Sequence, residues 1–237
     1  KLFKLVMVII RKERKEEYRI TEEIARDAFW NQYFPGANEH VVMHKIRTAP
    51  EFIEDLCLVV EDNGKIIGSI VYSKAYIVDE NDCKHEILSF GPISILPEMQ
   101  GKGIASQLIK ESFEKAREMG FKAVVILGYP FFYERFGFEN AFKFGITMPD
   151  GSSHKGLQAI ELIPGGLDGI CGKYIYSPCM DVTEEETEEY DKTFPPKEKF
   201  VSKSQKAFNV MLTLTHEDDY PSDDFKLQCL SREKIEE

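Results

Sequence analysis

Apolar residues along the chain alternate between two periods, which predicts a mixed α/β protein. Leu2–Ile10 is nearly continuous in apolar, β-prone residues and reads as a buried first strand. The charged run Arg11–Glu17 opens a helix in which Ile20, Ile24 and Ala28, with Ala25 and Phe29 beside them, form one apolar stripe. Asn31–Asn38 breaks the pattern at Pro35-Gly36. A second helix follows, with Val42, Met43 and Ile46 inward, and ends before Pro50. Leu56–Glu61 and Lys65–Val78 flank Asn63-Gly64, a favoured two-residue hairpin turn. After a turn at Glu80-Asn81-Asp82, Glu86–Leu96 reads as the next strand, with a break or bulge at Gly91-Pro92.

An amphipathic helix then buries Ile104, Ala105, Leu108, Ile109, Phe113 and Ala116, and Gly120 caps it. Ala123–Leu127 suits an interior parallel strand, so strand, helix and strand make a right-handed βαβ unit. Pro130–Phe136 reads as a short helix closed by Gly137. Phe138–Met148 and Leu157–Ile163 read as the last strands of the sheet. The division expected is a domain over 1–150 and an extension over 151–237 that packs on it. In that extension Gly165–Gly169 is rich in turn residues, and Thr183-Glu184-Glu185-Glu186 is a capping box opening an acidic helix. From Thr215 a mobile acidic tail is expected.

The candidate chemistry sits where the strand ending Ile93-Ser94-Ile95-Leu96-Pro97 meets the helix, at Gln100-Gly101-Lys102-Gly103-Ile104-Ala105. The first N–H groups of a helix have no partner inside it, and the aligned peptide dipoles favour negative charge there. Glycine at 101 and 103 admits a close approach by an oxygen, and Lys102 adds a cation. The guest is a phosphate or pyrophosphate. The dinucleotide fingerprint fails at Ser106, where a third glycine is needed, and the P-loop spacing is absent.

Gln100, Gly103 and Ala105 match Q-x-x-G-x-[GA], and Phe132–Phe138 matches an F-Y-x-x-x-G-F block further on. By these two motifs the chain, from residue 4 to about residue 150, resembles the GCN5-related N-acetyltransferases, the GNAT superfamily. A Leu-Asp-Gly stretch at 167–169 and the segment Pro195–Lys199 resemble the YhbS-like bacterial type. The resemblance implies a GNAT fold, a mixed central β-sheet flanked by helices, with acetyl-CoA as co-substrate. It implies that Ile93, Ser94 and Ile95 offer main-chain groups to the pantetheine arm, and that Gln100, Gly101, Lys102, Gly103, Ile104, Ala105 and Ser106 cradle the pyrophosphate. Tyr133 is the implied general acid: a phenol of pKa near 10 stays protonated at neutral pH and can protonate a leaving thiolate. Histone-type members carry a glutamate base on the strand before the glycine turn. Here the matching places are Ser89 or Phe90, with His85 and Glu86 nearby, so no base is assigned. Trp30, Tyr33 and Phe34 either line the acceptor pocket or staple their loop to the core.

The expected activity is transfer of acetyl from acetyl-CoA to a primary amine of a small molecule or protein. The alternative is a non-catalytic acyl-CoA sensor or interaction module; an unrelated phosphate-binding α/β protein is disfavoured by the paired motifs. The net charge of −11 argues against nucleic acid or an anionic membrane surface as partner, and a homodimer is left open. His40 and His44 lie four apart but lack the glutamate and third ligand of a zinc motif, so no metal is expected. Five scattered cysteines without a C-x-x-C pair point to reduced thiols and a cytoplasmic protein.

Overall fold

The computed structural model describes residues 8–235. The elements follow in the order β1 (Ile9–Lys12), α1 (Tyr18–Phe29), α2 (Glu39–Ile46), β2 (Leu58–Asp62), β3 (Lys65–Val78), β4 (Lys84–Ile95), α3 (Ile104–Glu118), β5 (Ala123–Leu127), α4 (Pro130–Tyr133), β6 (Glu139–Asn140), β7 (Ile146–Thr147), β8 (Leu157–Glu161), β9 (Gly172–Ile175), α5 (Glu184–Asp191), α6 (Lys203–Met211) and α7 (Phe225–Leu230). Among the described residues nine strands form one mixed sheet in the order β1-β2-β3-β4-β5-β8-β6, while β9 pairs with the outer half of β3 and with β7. Neighbours from β1 to β4 are antiparallel; β4 and β5 are parallel, as the βαβ unit requires.

One face of the sheet packs on α3 through Ile70, Tyr72, Leu88, Ile104, Leu108 and Phe113. The other carries α1 and α2, with Ala25, Met43 and Ile46 against Cys57 and Val71. Val42, Met43 and Ile46 are buried as the α2 pattern predicts.

Within residues 1–150 three elements differ from the sequence reading. The first strand begins within Leu2–Ile10, most of which lies outside the described residues, and runs on to Lys12, into the charged stretch expected to be helical. Ile20 is 45% exposed and Thr21 is buried in its place. The first turn of α1 faces a polar cluster: Thr21 donates to Glu13 at 2.5 Å, and Arg47 bridges Glu13 and Glu22, each at 2.7 Å. Phe138–Met148 is not one strand. Asn140 accepts the N–H of Phe142 and starts a single tight turn over Ala141–Phe144, leaving two short strands around it.

The sheet continues past residue 150 through β8 and β9. The segment from Thr215, expected to be mobile, instead carries α7. Its Phe225 and Cys229 are buried against Tyr129, Ala207 and Met211, because the acidic stretch is followed by an apolar helical face. The five cysteines are free thiols.

Candidate active site

β4 and β5 pair at one register position, Leu88 with Val124, and no further. Beyond it β4 runs on from Ser89 to Ile95 while β5 turns away, still paired to β8. The result is a wedge between two parallel strands, with main-chain groups of β4 exposed on its β5-facing side. On the other side β4 is held by β3, Ile93 opposite Ile70 and Ile95 opposite Gly68. A register shift between Ile70 and Tyr72 marks the bulge that Gly91-Pro92 predicts. Ile93 and Ile95 pack their side chains into the core, and Ser94 is buried on the opposite face, 3.2 Å from Ser69 Oγ.

Past Ile95 the chain makes one tight turn at Pro97–Met99 and enters the glycine turn. Gln100 Nε2 donates to Ile95 O at 3.0 Å and ties the turn to the strand end. Gly101 and Gly103 both have positive φ, 73° and 81°, and open space where a side chain would stand. A residue with Cβ would be strained here, so these glycines are needed for the backbone path itself. Gly103 caps α3, and its carbonyl accepts Gln107 N–H at 3.2 Å. Among the described residues, the N–H groups of Ile104, Ala105 and Ser106 have no protein acceptor. Lys102 is exposed beside them.

The far wall of the wedge is the segment after β5. Tyr133 is half-buried on α4, with its ring 5.9 Å from Phe90 of β4 and 5.5 Å from Phe138. Burial pushes its phenol pKa up, which keeps the proton on it at neutral pH. Gly128, at the end of β5, is a site residue that motif reading missed. A Cβ there would lie 2.4 Å from Tyr133 Cε2, so glycine is required for the ring to lie across the strand end. The signal available was a glycine directly after an apolar strand, which marks a close approach.

The structure separates the other candidates from the wedge. His85 pairs with Asp79 at 3.0 Å and Glu86 with Lys74 at 2.8 Å, both at the hairpin end of β4. Ser89 Oγ is 2.7 Å from Tyr174 OH, and Phe90 is apolar. Trp30 is a staple: its Nε1 donates to Glu198 O at 2.8 Å. Tyr33 faces the α4 side, 6.1 Å from Tyr129. His40 is fully buried beside Asp191 at 3.4 Å, and His44 Nδ1 is 2.8 Å from Tyr190 OH; among the described residues no group of three metal-ligating side chains converges. No described helix is long and apolar enough to cross a membrane.

Residues 54–140 match the family model of the acetyltransferase (GNAT) domain. Over 150 residues the chain is 27% identical to the N-acetyltransferase YhbS of Escherichia coli (strain K12), covering 63% of this chain and 87% of that one. It is 36% identical over 85 residues to the N-acetyltransferase YjhQ of the same organism, 35% of this chain and 46% of that one. The crystal structure of Escherichia coli YhbS in complex with CoA superposes with a TM-score of 0.63 at 25% identity, covering 74% of this chain and 92% of that one. A GNAT acetyltransferase from Brucella melitensis in complex with acetyl-CoA gives 0.60 at 26%, covering 74% and 99%. Residues 54–140 thus match a GNAT acetyltransferase domain, and over a longer stretch the chain is similar to YhbS.

Proposed function

We propose that this acetyltransferase moves the acetyl group of acetyl-CoA directly to a primary amine of a small molecule or protein. The observation that carries the reading is the wedge itself: β4 leaves β5 after Leu88 and ends at a helix N-terminus with unpaired N–H groups. The pantetheine arm lies along Ile93–Ile95 as an added strand, and the pyrophosphate takes the N–H groups of residues 101–106. The Brucella melitensis relative, solved with acetyl-CoA, supports this donor.

In the reaction the neutral amine attacks the thioester carbonyl carbon. The C–N bond forms, the oxygen takes up negative charge, and a β4 N–H stabilises it. Collapse breaks the C–S bond, the attacking nitrogen gives up its extra proton to solvent, and Tyr133 OH gives its proton to the departing thiolate, regaining one from solvent. The products are the amide and free CoA.

Calorimetry on Gly103→Glu tests the donor site. The carboxylate would stand beside the pyrophosphate, and the side chain is strained at positive φ, so acetyl-CoA binding should be lost. Wild-type-like affinity in this variant would remove the site.

A further inference from the structure

Three parts of the chain meet beside the far wall of the wedge and form a row of aromatic rings. α1 lies on the face of the sheet away from α3, with Ile24 against Val59 and Leu96, and Ala25 against Val71. The loop after it carries Tyr33 over to the end of β5, where its ring lies 6.1 Å from Tyr129. Tyr129 follows Gly128 and starts α4: its carbonyl accepts the N–H of Phe132 at 2.9 Å and that of Tyr133 at 3.3 Å. Phe132 lies 4.9 Å from the Tyr133 ring, so the row is continuous with the residue read as the acid. The third part is α6, which brings Phe208 to 4.5 Å from Tyr33 and 6.4 Å from Tyr129. Tyr129 is buried, whereas Tyr33 and Phe208 are half-buried and keep ring surface open.

The loop is fixed before any ligand arrives. Asn31 N–H donates to Gly36 O at 2.8 Å and closes it. From α6, Ser204 Oγ donates to Gln32 O, the residue before Tyr33, at 2.7 Å. A surface ordered in advance loses less entropy on binding.

We propose that Tyr33 and Phe208 bind the body of the acceptor and select a small monoamine carrying an aromatic ring. This rests on the acetyl-transfer reading above, in which β4 and the glycine turn take up the donor and leave the acceptor the face away from α3. The rings themselves favour an aromatic occupant, because aromatic pairs gain from tilted or offset contact at about 4.5–7 Å. The charges argue against a polyamine. Phe131 stacks on Tyr129 at 5.0 Å, and Lys226 Nζ stands 5.8 Å from the Phe131 ring centroid. Tyr220 follows, 6.2 Å from Phe131, with Lys226 Nζ at 5.4 Å and Lys155 Nζ at 5.1 Å from its centroid. Cations thus already occupy the ring faces at the outer end of the row, and a second positive charge on the acceptor would be repelled there.

Release of CoA by the full chain with acetyl-CoA and phenethylamine, spermidine or a lysine-containing peptide tests the assignment. The wild type should show its highest kcat/KM with phenethylamine. Phe208→Leu and Tyr33→Leu keep an apolar side chain and remove a ring. Each should raise KM for phenethylamine about 10-fold with kcat nearly kept, and leave acetyl-CoA affinity by calorimetry unchanged, which also shows that the variant is folded. Tyr33→Phe should keep the wild-type KM. In saturation-transfer NMR on the CoA complex, the phenethylamine ring protons should receive saturation from the wild type and lose most of it in the Leu variants. A wild type that binds acetyl-CoA but prefers spermidine or the peptide, or neither binds nor acetylates phenethylamine, overturns this assignment and leaves the donor site standing. Equal KM in the wild type and both Leu variants overturns it as well. Failure of the wild type to bind acetyl-CoA overturns the acetyl-transfer reading and this assignment with it.

Discussion

Tyr133 and Gly128 act as one unit, because the ring of the first occupies the space a side chain on the second would need. Tyr133→Phe preserves the ring packing on Phe90 and Phe138 and removes only the hydroxyl. It should lower kcat by about 100-fold with acetyl-CoA affinity nearly unchanged, measured by CoA release and calorimetry. Unchanged turnover from pH 6 to 10 would exclude it as the acid. Gly128→Ala forces the ring aside instead, an overpacking that costs about 1–3 kcal/mol by urea unfolding and lowers turnover while the hydroxyl is still present. Elsewhere a single side chain holds a buried charge cluster. Arg47 donates to Glu13 and Glu22, and all three are almost wholly buried. Burial dominates the pKa of Glu13 and raises it, with the Arg47 charge opposing. Arg47→Met strands two carboxylates and should cost about 3–5 kcal/mol of unfolding free energy near neutral pH, with the loss shrinking as acid neutralises them.

At the level of elements, the C-terminal part of the chain grips the loop between α1 and α2. Ser202 Oγ donates to Asn31 O at 2.8 Å, Ser204 Oγ to Gln32 O at 2.7 Å, and Gln32 Nε2 to Cys229 O at 2.6 Å. Arg232 reaches Gln32 Oε1 at 2.7 Å and also Ala28 O. Replacing Ser202 and Ser204 together by Ala leaves the buried Gln32 carbonyl unpaired, at a cost of about 1–3 kcal/mol, leaves Asn31 O only its bond from Gln205 Nε2, and loosens the loop that carries Tyr33. The expected signature is a raised KM for the amine with unchanged acetyl-CoA affinity. None of this grip was legible in the sequence. Trp30 and Tyr33 stood out as aromatic residues in a loop, but their partners lie more than 160 positions away. What local physics determines was legible: the Asn63-Gly64 hairpin, the bounds of β5 at Ala123–Leu127, the Thr183–Glu186 capping box and the glycine turn. β9 escaped because four residues with Gly172 at their start carry little periodicity.

The whole molecule carries a defined acid sensitivity. His40 is fully buried between α2 and α5, and burial depresses its pKa to about 4 despite the opposing charge of Asp191. The unfolded chain takes up this proton near pH 6.5, the folded chain only near 4. Stability is therefore full above 6.5 and declines as pH falls from 6.5 to 4, by up to about 3 kcal/mol. His40→Gln should flatten that part of the stability curve in urea titrations, and an unchanged slope would assign the loss to other groups. The outline of the sheet bears on assembly. β3 outruns β2, and β9 takes the vacated side opposite Tyr76, Ile77 and Val78. No second chain can therefore align a strand there. Among the described residues the path through the sheet ends at β1 and at the two-residue β6, and its side branch ends at the two-residue β7, so fibrous stacking through these outer margins has only short strands from which to start.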